Sequence, residues 1–506
     1  MKSLKKDPVH GVDGRWSWIT AGLCSWALFL AMSSICAMGV LYVGIIDTFG
    51  ATREEASWPV TLPDSLLNLA GPLMGVLCRW FSCRTVLLAC SFLTGIGISI
   101  CFFARGVLFL SLMFGALHGL TLAGIFVSVN SILPQHFDKS RNAAFSLLMT
   151  VAGLNGFIVT PLVQFFYSTY GSRGAFLLLG AVLFNVFPAA ISIRSPPWGT
   201  EIRKFNLKSS KLFFHRSSKV IPATDVLYLS NGKSIGAEYR FNIVDEGSNY
   251  QGRVLLAEKN HTSENNSPPN LPYTVEDETL EFERKTLKIS SWKTVAKQFL
   301  TASFCIDSLT ITALVISATT FILVSVDLAI DRGVTASRVF YVQYAYFIAD
   351  IIFRALIGFI IDRKILSLEA AMFAGFFIQA IGFEILAWAV ALPTMMMCAV
   401  LIGMSTGFRI PLQAPILIDD FGVELLPVMM GGANFFLGIM NVARPALIGY
   451  CRDHLGNYDM LLHIVAAVNI VVACVWILRL LVRRQKRAKE VNAARHGQRN
   501  GNAGGQ

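Results

Sequence analysis

Long apolar runs recur along the whole chain and alternate with short polar segments. Each run has at least 18 residues, enough for a helix to cross the roughly 30 Å hydrocarbon core of a bilayer. The runs are continuous rather than alternating, which favours helices over a β-barrel. The pattern predicts twelve transmembrane helices, at residues 18–43, 60–78, 85–103, 107–132, 143–166, 175–193, 298–323, 338–361, 369–392, 395–418, 427–450 and 461–481.

One long polar stretch divides these helices into two sets of six. Residues 194–297 are rich in Lys, Ser, Asn and Glu, a composition that predicts a cytoplasmic and largely disordered loop. It joins an N-terminal half, 18–193, to a C-terminal half, 298–481, and polar segments 1–17 and 482–506 flank them. This arrangement predicts an all-α integral membrane protein with the major facilitator fold, in which two halves move around a site near the bilayer midplane.

The charge distribution predicts the orientation of the chain. The formal net charge is +11, and most Lys and Arg residues outside the spans fall in the termini, the long loop and the turns on one side. The positive-inside rule places that side in the cytoplasm. The basic excess therefore reports topology and does not indicate nucleic-acid binding. The run RRQKRAK at 483–489 suits a segment attracted to the anionic surface of the bilayer, and we expect the plasma membrane as the location.

Two charges lie one helical turn apart inside the span 338–361. They are Asp350 and Arg354, and each alone would cost about 2.5–3.5 kcal/mol at the bilayer centre. An exposed ion pair at this spacing stabilises a helix by only about 0.3–0.5 kcal/mol. The pair is therefore either a structural salt bridge, in which each charge only reduces the cost of burying the other, or a functional switch. In the switch, Arg354 holds an anionic group and Asp350 releases it, takes up a proton, or both. We favour the switch.

Further polar residues interrupt other spans. Arg409, in STGFRIPLQAP, and Arg444, in NVARPALIGY, are candidate substrate contacts, and Asp307 is a candidate partner for either of them or a member of a buried salt bridge. His118 and Glu384 are weaker candidates, since a lone histidine in a helix bundle usually packs with one hydrogen bond. The glycine-rich stretch GALHGLTLAG lacks the lysine of a phosphate-binding loop. The sequence therefore predicts that the protein is not an enzyme and that it has neither a cofactor site nor a metal site.

Two segments resemble the signatures of the monocarboxylate transporter family. The segment DGRWSW at 13–18 is similar to the first signature, and HFDKSRNAAFSLLMTVAG at 136–153, which contains Arg141, is similar to the second. The first-signature residues are Asp13, Gly14, Trp16 and Trp18. The pair Asp350–Arg354 also fits the charged pair of that family. The resemblance covers nearly the whole chain apart from the central loop and the tail.

The resemblance implies a secondary carrier of small organic acids that works by alternating access, with proton linkage through Asp350 and Arg354. One departure concerns Cys36, which occupies the position of a lysine that binds proton and substrate in lactate carriers. A neutral thiol supplies no positive charge there. The alternatives are a facilitative carrier of an amino-acid-like or zwitterionic substrate, and a receptor or scaffold that kept the fold. Some family members also need a single-span immunoglobulin-type glycoprotein as a partner.

Overall fold

The apolar runs of the sequence form helices in the computed structural model, which describes residues 11–193, 226–231, 234–245, 248–255, 297–335, 338–455 and 457–503. The chain divides into two compact units, one of residues 1–199 with 298–506 and one of residues 200–297. The first unit holds all the helices given below, and the second holds a small sheet. Each unit is described by itself.

The N-terminal half consists of helices with several breaks. Its helices are α1 Arg15–Cys36, α2 Met38–Phe49, α3 Arg53–Leu69, α4 Gly71–Trp80, α5 Cys83–Ile100, α6 Val107–Leu110, α7 His118–Ile132, α8 Arg141–Gly153, α9 Asn155–Phe184 and α10 Val186–Ser192. A π-helical segment, Ser111–Leu117, joins α6 to α7. The first predicted span is therefore two helices that meet at Ala37, because hydropathy records apolarity and not the continuity of the backbone.

Most helices of the C-terminal half are longer than those of the N-terminal half. They are α11 Ala302–Asp331, α12 Phe340–Asp362, α13 Leu368–Trp388, α14 Leu392–Arg409, α15 Gln413–Phe421, α16 Leu426–Leu455 and α17 Asp459–Ala503. A 3₁₀ turn, Ile410–Leu412, separates α14 from α15. The backbone tightens where a glycine and a proline flank Arg409 in the sequence, and the predicted tenth span is accordingly a broken helix.

The helices account for the predicted membrane spans. In the described chain ten helical segments are long and apolar enough to cross a bilayer, and a further pair, Glu55–Leu69 with Gly71–Trp80, qualifies as one span bent by 53°. One of the ten, Arg141–Ser192, covers two predicted spans. It is interrupted at Gly171, whose φ of 70° lies in the left-handed region that favours glycine. The predicted all-α multi-pass membrane fold is confirmed.

Large apolar side chains cover the outside of the helices as well as the core. Leu108 and Trp388 are 75% and 76% exposed, whereas Trp476 and Phe383 are fully buried between helices. A soluble monomer rarely exposes large contiguous apolar patches. This surface is suited to contact with lipid.

The two halves contact each other closely at one end of the first unit. A Cβ atom on Gly71 of α4 would lie 2.5 Å from the carbonyl oxygen of Gly431 in α16, so the two backbones touch. Gly358 of α12 approaches α8 with no room for a Cβ. The Asp362 carboxylate, at the end of α12, accepts hydrogen bonds of 2.8 Å from Asn142 Nδ2 and from a backbone N–H in the first turn of α8.

The second unit contains a three-stranded antiparallel sheet. Strands β1 Val226–Asn231, β2 Ser234–Asp245 and β3 Ser248–Leu255 pair in the order β1-β2-β3. The register pairs Asn231 with Ser234 and Asp245 with Ser248. Alternating apolar and polar residues favour these strands. The expectation of a largely disordered loop concerns the whole of 194–297, most of which lies outside the described residues, and it stays a prediction.

The close contact between α4 and α16 leads to a prediction about stability. Gly71→Leu would force a side chain against a backbone carbonyl that cannot move aside, and overpacking of this kind costs about 1–3 kcal/mol. We expect a lower melting temperature of the purified protein in detergent. Gly22→Leu is the matched control, because a Cβ at Gly22 meets nothing within 4 Å. Equal melting temperatures for the two variants would contradict the tight contact.

Candidate functional site

The two signature segments meet in the structure. The Asp13 carboxylate, just before α1, accepts backbone hydrogen bonds from Lys139 at 2.9 Å and Ser140 at 3.0 Å, in the turn before α8. The Trp18 ring packs edge-on against Phe137, with 5.1 Å between ring centroids. These contacts tie the start of the first span to the start of the fifth. The first signature therefore holds the turn before α8, which belongs to the second signature, in place.

The other signature residues have local roles. Gly14 is the extended residue that precedes α1, and Trp16 lies in the first turn of that helix. Arg141 begins α8, where its guanidinium donates to the Phe137 carbonyl at 3.3 Å and lies 3.8 Å from the exposed Asp138 carboxylate. The structure thus places Arg141 at the start of α8 and not beside the intramembrane charges Asp350 and Arg354.

Asp350 and Arg354 form a buried ion pair at the boundary between the halves. Arg354 donates from Nε, at 3.3 Å, and from Nη2 to the two oxygens of the Asp350 carboxylate. Its Nη1 donates to the carbonyl oxygen of Met149 in α8 at 3.2 Å. Gly153, also in α8, leaves room for the guanidinium, since a Cβ there would lie 3.2 Å from Nη1. The guanidinium therefore links its own helix to the opposite half.

A buried tyrosine lies one turn before the pair. Tyr346 is 2% exposed and lies on the same helix as Asp350. The sequence analysis missed Tyr346. Its four-residue spacing from Asp350 was the available signal, because residues four apart share one face of a helix.

Arg409 is fully buried within the C-terminal half. Its Nε donates to the Ser405 carbonyl at 2.8 Å, its Nη2 donates to the side-chain oxygen of Gln379, and its guanidinium lies 4.1 Å from the centroid of the Phe376 ring. Its Nη1 has no hydrogen-bond partner, and no carboxylate pairs with it among the described residues. Its hydrogen bonds and ring contact thus all lie on α13 and α14.

Of the two roles predicted for Asp307, the structure has the buried salt bridge and not a pair with Arg409 or Arg444. Asp307 lies 2.8 Å from Nη1 of Arg479 in α17, and Arg479 also binds Asp420 at 2.5 Å. Arg483, one turn further along α17, joins Asp420 and Glu369. The arginines neutralise these carboxylates. In the described part of the chain, no group of His, Cys, Asp or Glu side chains is arranged to hold a metal ion.

Arg444 contacts a different helix and faces a residue that the sequence analysis missed. Its Nη1 donates to the hydroxyl of Thr319 in α11. Its electrostatic neighbour is Asp64 of α3, in the opposite half. Asp64 lies inside the predicted span 60–78, where a carboxylate in an apolar run was the signal. The structure thus contains a second pair of opposite charges between the halves.

The remaining candidates lie apart from both charge pairs. Cys36 is the last residue of α1, at the break in the first span, and its thiol is free. His118 is buried with its Nε2 2.6 Å from the hydroxyl of Ser34, as expected of a packing histidine. Glu384 lies 3.0 Å from His463, and both side chains are exposed.

Comparison with known proteins agrees with this architecture. The profile of the Major Facilitator Superfamily matches residues 23–316 and 308–501. The chain is 23% identical to monocarboxylate transporter 9 of Pongo abelii, over 90% of each chain. It is 33% identical to monocarboxylate transporter 3 of Rattus norvegicus, over 37% of this chain and 38% of that one. The resemblance inferred from the signatures is confirmed, and these relatives are transporters and not enzymes.

A crystal structure of the E. coli fucose:proton symporter has the same fold. It superposes with a TM-score of 0.62 at 13% sequence identity, and the match covers 92% of this chain and 99% of the symporter chain. At this identity the likeness shows the fold alone. It supports the assignment of twelve spans in two halves.

The contact between the signatures can be tested through Asp13. Asp13→Ala leaves the backbone N–H groups of Lys139 and Ser140 without their acceptor, and we expect the loss to cost about 0.5–1.5 kcal/mol because water can reach these groups. The melting temperature in detergent should fall. Asp138→Ala is the matched control, since the Asp138 side chain is 80% exposed. A melting temperature of Asp13→Ala as high as that of this control would show that the Asp13 hydrogen bonds contribute nothing to stability.

Proposed function

We propose that this chain, which belongs to the Major Facilitator Superfamily, carries small organic acids across the plasma membrane by alternating access, with Arg354 as the site for the substrate carboxylate. The observation that carries the proposal is the position of the Asp350–Arg354 pair. It is buried, it lies where α12 meets α8, and it contacts both halves. A charge placed there can couple substrate binding to the movement of the halves.

The geometry of Arg354 explains how a substrate would be held. A guanidinium presents its donors in a planar fork that matches a carboxylate. In this structure that fork is filled by the Asp350 carboxylate. A substrate carboxylate is the same chemical group, so it can replace Asp350 without leaving a guanidinium donor unpaired.

The exchange of partners would loosen the contact between the halves. The same guanidinium that pairs with Asp350 also donates to the Met149 carbonyl of the opposite half. When Arg354 turns toward a substrate, that link and the Asp350 pair are lost together. The closed end, held also by Asp362 and the helix start of α8, could then open.

Proton linkage follows from what happens to Asp350. Once Arg354 binds substrate, the Asp350 carboxylate remains buried without its partner, which is strongly unfavourable. Uptake of a proton removes that unpaired charge. Cys36, neutral at the position where lactate carriers have a lysine, does not have this role. If uptake proves independent of pH, facilitated diffusion is the better description, and Asp350 is then only a gate.

The setting of the carrier is proposed on the charge pattern and the resemblance. We place both termini and the loop 194–297 in the cytoplasm, because the basic residues concentrate there. A single-span immunoglobulin-type glycoprotein is an expected ancillary partner. The competing proposal is a receptor or scaffold without transport. Uptake of a panel of labelled carboxylates by cells expressing the chain separates the two, since a scaffold would move none of them.

Arg354→Lys tests the carboxylate site. Lysine keeps the positive charge but lacks the planar fork, so we expect uptake of an organic acid to fall by about tenfold or more, the effect of about 1.4 kcal/mol. Initial uptake rates, corrected for protein at the cell surface, measure this. Arg105→Lys is the control, because Arg105 is an exposed arginine outside the proposed site. Wild-type uptake by Arg354→Lys would refute the site.

Asp350→Asn tests the proton role. Protonation removes the charge of Asp350, so wild-type uptake should rise as the external pH falls from about 8 to about 5.5, and the amide should remove this dependence. Asp350→Glu should keep part of it, since it retains an ionisable group. Initial rates across this pH range, at equal surface level, are the measurement. A wild-type rate that is flat with pH would exclude Asp350 as the proton acceptor.

A further inference from the structure

Two cysteines flank the turn between α4 and α5. Cys78 lies in the last turn of α4, and Cys83 is the first residue of α5. Only Phe81 and Ser82 connect the two helices, and Ser82 has a φ of 127°, in a region that residues other than glycine rarely adopt. This tight turn sets the start of α5 beside the end of α4. Both cysteines are reduced in this structure.

The two thiols are in contact with each other. The Cys78 thiol forms a hydrogen bond with the Cys83 thiol, and its Sγ lies 3.3 Å from the hydroxyl oxygen of Ser128 in α7. Cys78 is 5% exposed, so the turn and α7 enclose its thiol. The sulfur atoms of a disulfide lie about 2.05 Å apart. Thiols that already share a hydrogen bond need only a small movement to reach this distance.

The surroundings of Cys83 favour its reaction. Its side chain is partly exposed, whereas that of Cys78 is buried, so a dissolved reagent reaches Cys83 first. Helix α5 is 18 residues long, and Cys83 lies at its N-terminal end. The positive end of a helix favours the thiolate, which is the form of cysteine that attacks a disulfide. An accessible, reactive cysteine therefore lies next to a buried one that can complete the reaction.

We infer that Cys78 and Cys83 form a reversible disulfide, which makes the turn between α4 and α5 a redox-modification site. The oxidant is a small-molecule disulfide. The Cys83 thiolate attacks one of its sulfur atoms, the S–S bond of the small molecule breaks, and one small thiol leaves. Cys78 then gives up its proton and attacks the Cys83 sulfur of this mixed disulfide, which releases the second small thiol. Two cysteines are oxidised, one small disulfide is reduced to two thiols, and those thiols take up the two protons.

The cysteine pair is separate from the Asp350–Arg354 pair. It adjoins the contact between the halves, because a Cβ at Gly75, three residues before Cys78, would lie 2.4 Å from the carbonyl oxygen of Pro427 in α16. The proposed orientation places this turn in the cytoplasm, where disulfides are usually transient or redox-sensing. Formation of the disulfide requires no substrate, so its failure leaves the proposed carrier function unaffected.

Tryptic digestion detects the disulfide directly, because arginines lie between and after the two cysteines. Peptide 54–79 contains Cys78, and peptide 80–84 contains Cys83. The purified full chain in detergent is treated with glutathione disulfide, its remaining thiols are alkylated, and the monomer band of a non-reducing gel is digested. We expect one linked species whose mass is the sum of the two peptide masses minus two hydrogens. Dithiothreitol should separate the two peptides again.

Three results with the wild type would overturn the site. They are two separate alkylated peptides after oxidation, a glutathione adduct on Cys83 without linkage to Cys78, and linkage of peptide 80–84 to a different cysteine peptide. None of these measurements depends on the folding of a variant.

Variants test the order of the two attacks. Cys78→Ala should stop at the mixed disulfide on Cys83, and Cys83→Ala should leave the buried Cys78 unmodified. Cys90→Ala is the matched control, because Cys90 is a buried cysteine of the same helix α5, and it should form the linked species as the wild type does. Modification of Cys78 in the Cys83→Ala variant would contradict Cys83 as the attacking thiol.

Discussion

The buried guanidinium of Arg354 is the group on which the rest of this account depends. Its Nε and Nη2 are bound to Asp350 on the same helix, and its Nη1 is bound to the carbonyl of Met149 in the opposite half. A cation in an apolar bundle needs its donors paired. Any step that removes one partner must therefore supply another, and a substrate carboxylate is the partner that fits.

The structure around this guanidinium is built for close approach of the halves. Gly358 allows α8 to approach α12, and Gly153 leaves room for the Arg354 side chain. Gly71 and Gly431 allow backbone contact between α4 and α16. Small residues at helix contacts are how membrane bundles pack without a hydrophobic driving force. The Asp362 carboxylate completes the closed end by binding the start of α8. The Arg354 hydrogen bonds are one part of this contact between the halves, so their loss weakens the contact but leaves its other parts in place.

Much of the fold was predictable because lipid imposes a strong pattern. Apolar runs gave the twelve spans, and the one-turn spacing gave the Asp350–Arg354 pair. Backbone breaks were not predictable in the same way, since Ala37 and the π-helical segment Ser111–Leu117 lie inside apolar runs. The strands in 226–255 stand inside a loop whose overall composition is polar, so composition alone does not predict them, and only the alternation of residues within β2 indicates a strand.

Partners between distant spans were the hardest part of the site to predict. Asp307 pairs with Arg479, which lies 172 residues later in the chain, and a charge pattern does not say which helices are neighbours. Asp64 stands inside the predicted span 60–78, and the sequence alone does not show that α3 lies against α16. The contact of Arg409 with substrate stays a prediction, and the sequence did not show that its partners within the protein lie on α13 and α14.

The most direct test is a distance measurement across the closed end. Spin labels at Lys139, before α8, and Arg363, after α12, report the separation of the halves once the exposed cysteines Cys305 and Cys474 are replaced. We predict a short distance in the absence of substrate. A saturating concentration of an acid that the chain transports should shift the population to longer distances, because Arg354 then releases Asp350 and Met149. An identical distance distribution with and without that acid would contradict the account.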